Sequence, residues 1–356
     1  MNKVGRIQKV IVLSGMVMVG VVASVFGQTE DSLANRLPRR FVHGLGVEAR
    51  PEYVFPTHPF LRGENPERKL IRGAFSTHFK YALHYQPGSI YDRIYGNVYQ
   101  GIGLGCYSFG ESRQIGNPVA FYLFQGARIA RICPWLSFNY EWNFGLSGGW
   151  KPYDEQYNSY NKMVGSKINA YLNANFYLRW ALSPRLSLTS GVTLTHFSNG
   201  NTNFPNAGVN TLGGKLGVEY NFYRKEDLTS LHAAASYHIP PSYDFVFFGS
   251  WRRKGIWMQE GQYPLPESYP VFGFNFAPMY NVDYKLRLGV SLDGVYDGSA
   301  NLYLSDEVYG DIDKSQIRRP ALYNQFALGM SGRVEYVMPF FTVGIGMGTN
   351  FFGKAI

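Results

Sequence analysis

Residues 167–180 read KINAYLNANFYLRW. Ile168, Ala170, Leu172, Ala174, Phe176, Leu178 and Trp180 fall on one parity. Lys167, Asn169, Tyr171, Asn173, Asn175, Tyr177 and Arg179 fall on the other. A period of two means a β-strand with one apolar and one polar face. Strands rise about 3.3 Å per residue, so a run of this length exceeds most soluble strands. It is long enough to cross a bilayer on a tilt.

The pattern recurs at 284–293, YKLRLGVSLD, where Leu286, Leu288, Val290 and Leu292 oppose Lys285, Arg287, Ser291 and Asp293. Similar segments lie at 42–54, 73–86, 98–109, 117–131, 134–147, 165–181, 185–198, 208–222, 244–258, 267–280, 283–296, 321–336 and 338–352. Connections at Cys133-Pro134, Ser183-Pro184, Val282 and Met338-Pro339 are tight, whereas 55–72, 148–164 and 298–320 are long and polar. Short inner turns alternating with long outer loops mark a transmembrane barrel. The exception, 223–243, reads as a longer inner connection or a broken strand.

Composition agrees. Aromatics make up 17% of the 356 residues, with 27 Tyr, 26 Phe and 40 Gly, and only 17% are charged. That suits a sheet with a greasy face, a small-residue face and aromatic girdles. The expected fold is all-β, an antiparallel transmembrane β-barrel of 12–14 strands. Thirteen segments break the even-number rule, so either a returning strand lies beyond NFFGKAI or one segment is miscounted. The rival architecture is a soluble double-sheet sandwich.

The N-terminus, MNKVGRIQKVIVLSGMVMVGVVASVFGQ, has a basic start (Lys3, Arg6, Lys9) and an apolar run over 10–26. It reads as a signal peptide, 1–27, leaving 28–356 as a single barrel domain truncated at its C-terminus. Removing the three leader cations lowers the formal charge from +9 to about +6, a balance that attracts anionic headgroups or only offsets lumen charge. Cys106 and Cys133 are too few for a disulfide framework. No metal-ligand spacing, phosphate loop or cofactor motif is present, and no nucleic-acid partner is expected.

One stretch carries chemistry: LTHFSNGNTNFPNAGVN, 194–210. His196 and Ser198 share parity with Leu186, Leu188, Val192 and Leu194, so both continue the lipid-facing side of their strand. Asn210 shares parity with Leu212, Leu216 and Val218 on the next strand, facing the same side. Residues i and i+2 lie about 6.5 Å apart at Cα, so imidazole can reach the Ser hydroxyl. A hydroxyl is a poor nucleophile until a base takes its proton. Asn210 can fix the tautomer of that base, and the Asn206 amide with a backbone N–H near Asn201 can form an oxyanion hole. The plainer reading is an interfacial hairpin with turn-forming Asn and Gly.

HFSNGNTNFPNAGVN resembles the signature of the lipid A 3-O-deacylases, outer-membrane barrel esterases with a His-x-Ser-Asn followed by Pro-Asn-x-Gly. The resemblance implies His196 as base, Ser198 as nucleophile, Asn206 as oxyanion donor, and the amide of Asn201 where the family has Gly. It departs from the family at Asn210, where the family has a Glu, losing the negative charge that stabilises imidazolium. The outer-membrane phospholipases A are also similar, with a triad Asn at that spacing; they use calcium and form homodimers. The resemblance thus implies a cofactor-free lipid A deacylase in the bacterial outer membrane. Its partners are lipid A (lipopolysaccharide) and the membrane. The alternatives are a calcium-dependent phospholipase A and a non-enzymatic channel or structural barrel. The Trp251-Arg252-Arg253-Lys254 cluster contacts lipid phosphates or forms ordinary rim charge.

Overall fold

The computed structural model describes residues 41–85, 90–222, 240–258, 261–304, 314–338 and 342–353. The expected leader, and most of the irregular connection at 223–243, lie outside the described residues.

Eight strands form a closed antiparallel barrel. They are β1 (Val42–Val54), β2 (Gly73–His84), β3 (Tyr99–Ser108), β4 (Gly116–Cys133), β5 (Leu136–Trp150), β6 (Ile168–Ala181), β7 (Leu186–Ser198) and β8 (Val209–Asn221), with a short helix α1 (Ile90–Tyr95) between β2 and β3. Each strand pairs with the next, and β1 pairs with β8 in a register that sets Val47 opposite Val218.

The remaining elements are β9 (Ser242–Arg252), β10 (Gly255–Met258), β11 (Gly261–Pro264), β12 (Tyr269–Asn281), β13 (Leu286–Asp297), β14 (Tyr303–Leu304), β15 (Ile317–Arg318), β16 (Phe326–Val337) and β17 (Thr342–Gly353). The five long ones form a second sheet in the order β17-β16-β13-β12-β9. β10 pairs with β11, and β14 with β15.

The barrel class is as read from the sequence, but 12–14 strands in one barrel is corrected. Eight close, and five stand in a separate sheet. The reason is edge chemistry. β8 occupies the free hydrogen-bonding edge of β1, so no later strand can enter the ring.

The alternation decides the faces. Leu194, Val192, Leu216 and Leu123 are exposed on the outer wall, at 47–61%. Their neighbours Thr193, Thr195, Lys215 and Tyr122 are buried in the lumen. Mid-lumen, Glu48 joins Arg50 at 2.6 Å, Lys80 at 2.9 Å and Lys215 at 2.9 Å, and Lys80 also pairs with Glu141. Buried charges persist only when paired in this way. Beyond them lies an aromatic cluster, with Phe197 5.0 Å from Tyr107 and 4.9 Å from Trp150, centroid to centroid. Cys106 and Cys133 are both free thiols.

Candidate active site

The site is built on the β7–β8 hairpin, where the sequence departs from simple alternation. Phe197 is 1% exposed and packs into the lumen cluster. Burying a Phe is worth about 2–3 kcal/mol, which fixes the end of β7. His196 and Ser198, one residue to either side, must then face outward. The register sets His196 directly opposite Asn210.

Behind that pair, on the lumen face, Thr195 donates to Glu52 Oε2 at 3.3 Å. Thr211 also donates to Glu52, and Ser76 donates to Oε1 at 2.7 Å. Glu52 therefore ties β2, β7 and β8 together beneath the site. Sequence reasoning missed Glu52. Its only signal was an acid at a lumen position of β1.

All five sequence-derived residues lie on this hairpin, in two hydrogen-bonded groups. His196 Nδ1 lies 2.6 Å from Asn210 Oδ1, so an Nδ1–H tautomer donates to the amide oxygen. Asn206 Nδ2 donates to Ser198 Oγ at 2.9 Å and to Asn201 Oδ1 at 3.3 Å. The Asn206 amide is aimed by Asn199, whose N–H donates to Asn206 Oδ1 at 3.3 Å. The backbone N–H that meets Ser198 Oγ is that of Gly200, at 3.1 Å, one residue earlier than Asn201.

Among the described residues no hydrogen bond joins His196 to Ser198. Both flank Gly208, where an added Cβ would meet His196 Cε1 at 3.3 Å and Ser198 Cβ at 3.9 Å. Gly208 also has φ +73°, which disfavours any side chain. The glycine thus leaves the imidazole room beside the hydroxyl.

The loop from Asn199 to Gly208 is held at both ends. Gly200 and Asn201 have φ of +64° and +62°, and Thr202 N–H donates to Asn199 O at 3.3 Å. This is a tight turn of the type that needs two left-handed residues, which Asn and Gly supply. On the other side Gly208 N–H donates to Met163 O at 3.0 Å, and the Asn203 amide donates to Gly165 O. The β5–β6 loop therefore backs the site. Nothing in the alternation pointed to Met163 or Gly165.

Two cations of the 251–254 cluster, Arg252 and Lys254, are bound within the protein. Arg252 pairs with Asp297 and donates to Ser299 Oγ at 2.9 Å, and Lys254 Nζ donates to Ser299 O at 3.1 Å.

Comparison with known proteins follows this geometry. Residues 77–219 match the family model described as lipid A 3-O-deacylase (PagL). That span contains Ser198, His196, Asn201, Asn206 and Asn210. Residues 241–355 match a second model, acyloxyacyl hydrolase, C-terminal domain. Among solved structures, the chain is similar to Neisserial surface protein A at 10% identity, with TM-score 0.33, covering 51% of this chain and 97% of that one. It is similar to the outer membrane enzyme PagL at 12% identity, with TM-score 0.33, covering 48% and 97%. The N-terminal β-barrel domain of Pseudomonas aeruginosa OprF gives 10%, TM-score 0.29, and 51% and 100%. No curated protein matches the chain.

Proposed function

We propose that this chain, whose residues 77–219 match the lipid A 3-O-deacylase (PagL) family model, is an outer-membrane serine esterase acting on an acyl ester of lipid A. One observation carries the reading. His196, Ser198, Asn206 and Asn210 lie together on the β7–β8 hairpin, on the side of β7 that carries the exposed Val192 and Leu194.

In the proposed reaction, Ser198 Oγ attacks the ester carbonyl carbon. His196 accepts the hydroxyl proton at Nε2, while Nδ1–H stays hydrogen-bonded to Asn210 Oδ1. Apo sites often hold nucleophile and base apart, and Gly208, lacking a side chain beside both, leaves the imidazole room to turn toward the hydroxyl. The oxyanion accepts hydrogen bonds from Asn206 Nδ2 and from the amides of the Gly200-Asn201 turn. Collapse breaks the ester C–O bond, and His196 returns the proton to the leaving sugar alkoxide. A water, deprotonated by His196, then releases the fatty acid from Ser198.

Asn210 orients imidazole but adds no charge, so imidazolium is stabilised less than beside a carboxylate. No cofactor enters this scheme. Calcium and a homodimer belong to the phospholipase alternative, which Asn210 favours.

The test is fatty-acid release by purified protein in detergent, with lipid A or phospholipid as substrate. The reading expects release from lipid A that EDTA does not change and that falls about 10⁴-fold or more in Ser198→Ala. Calcium-dependent lysophospholipid, with lipid A untouched, would overturn it.

A further inference from the structure

Among the described residues, the C-terminal sheet meets the turn of the candidate site at Arg253. Just past the end of β9, Arg253 N–H donates to the carbonyl oxygen of Asn201 at 3.2 Å. This bond links the C-terminal sheet to the turn whose amides face Ser198.

The donor is firmly held. Arg252, before it, is bound to Asp297 and Ser299. Lys254, after it, reaches the Ser299 carbonyl with its ammonium, and its own carbonyl accepts from Leu265 N–H at 2.8 Å. Ser299 is fixed in turn by Asp297, which accepts from its N–H at 2.8 Å and its hydroxyl at 2.6 Å. The Arg253 amide therefore sits between two anchored residues.

The acceptor needs such a hold. Gly200 and Asn201 both have positive φ, and the turn they make is closed on the Asn199 side, where the carbonyl accepts from Thr202 N–H at 3.3 Å and Thr202 Oγ at 2.9 Å, while the Asn201 carbonyl is held by Arg253. A non-glycine residue in that region is less comfortable than Gly. The same turn presents Gly200 N–H to Ser198 Oγ and Asn201 Oδ1 to the Asn206 amide. Rotating the Asn201 peptide would disturb both donors that converge on Ser198.

We propose that Arg253 is a positioning residue that acts through its main-chain N–H, so that the C-terminal sheet clamps the oxyanion turn of the esterase. The inference rests on the esterase reading. It assigns the amide, and not the guanidinium, to the task. Arg252 precedes it at the end of a strand, in the extended backbone that tolerates a following proline.

The experiment compares full-length wild type, Arg253→Ala, Arg253→Pro, Asn206→Ala and the double variant Asn206→Ala/Arg253→Pro on lipid A. Arg253→Ala keeps the amide and should retain kcat within about twofold. Arg253→Pro should lower kcat about tenfold with little change in KM, the loss of part of an oxyanion interaction. The double variant should lose less than the product of the single losses, because both act on one turn. Heat-modifiable gel migration checks that each barrel is folded. If Arg253→Pro does not fold, Asp297→Asn with Ser299→Ala loosens the anchors and should lower kcat in the same way. Full kcat in the loosened or proline variants, equal losses in Arg253→Ala and Arg253→Pro, or multiplicative losses would overturn the clamp. A wild type with no Ser198-dependent activity is a separate result, and it removes the esterase reading itself.

Discussion

The barrel and the C-terminal sheet have the same alternation and yet different architectures. Both put Leu, Phe and Val outward. In the sheet, Phe245, Phe247, Phe272, Leu288, Val290 and Met330 are all exposed. Both put polar residues on the opposite face. The difference lies in how far the polar bonds reach. In the barrel they cross the lumen: Arg50 of β1 donates to Asn173 of β6 at 3.2 Å, and Tyr99 of β3 meets Tyr177 of β6 at 2.5 Å. In the sheet they stay close to home. Arg287 of β13 joins Asp244 of β9 at 3.0 Å and Glu335 of β16, and Arg333 joins Glu335 within β16 at 3.0 Å. Alternation chooses a strand and its faces. A ring requires in addition that side chains from opposite walls complete one another.

The largest effect expected from this contrast is on the buried charges. Glu141→Ala leaves Lys80, Lys215 and Arg50 to share the single carboxylate of Glu48, all inside the lumen. That should cost about 3–5 kcal/mol of barrel stability in denaturant titrations followed by gel migration. Glu335→Ala in the sheet removes one partner each from Arg287, which keeps Asp244, and Arg333, which keeps Asn275, and their side chains are 15% and 23% exposed and can recover water. Its cost should be about 1–2 kcal/mol. Equal costs would break the comparison.

A similar contrast holds for aromatics. Phe197→Ala opens the lumen cluster and should cost about 3 kcal/mol, with activity lost as β7 loosens. Phe247→Ala removes a ring that is 69% exposed and should change stability by less than about 1 kcal/mol.

The sequence made the outward direction of His196, Ser198 and Asn210 legible because parity is a local property. A lumen-facing Phe197 forces its neighbours outward, and Leu212 and Leu216 set the parity of Asn210 on β8. The eight-strand closure was not legible. It depends on β1 meeting β8 across more than 150 residues of sequence, and no local pattern encodes that register. The donor beside Ser198 was legible in the sequence only as a backbone N–H near Asn201, without a choice of Gly200, for a related reason. The expected position followed a family spacing, whereas the turn geometry, with Gly200 and Asn201 both left-handed, turns the earlier amide to Ser198. Glu52, Met163 and Gly165 come from distant segments and become neighbours of the site only through the fold.

Three smaller effects concern whether the hairpin alone sets the chemistry. Asn210→Ala leaves His196 Nδ1 without its 2.6 Å acceptor and should lower kcat about 100-fold. Asn210→Glu restores an acceptor with charge and should raise kcat about tenfold over wild type. Gly208→Ala places a methyl 3.3 Å from His196 Cε1 at a backbone φ of +73°. It should lower kcat about tenfold, with roughly 1 kcal/mol of lost stability.

The most direct measurement is mass spectrometry of lipid A and phospholipids from cells expressing wild type or Ser198→Ala at equal levels in the outer membrane. The account expects lipid A lighter by one acyl chain with wild type alone, and phospholipids unchanged in both. Lipid A of full mass beside folded wild-type protein, or the same loss with Ser198→Ala, would contradict it.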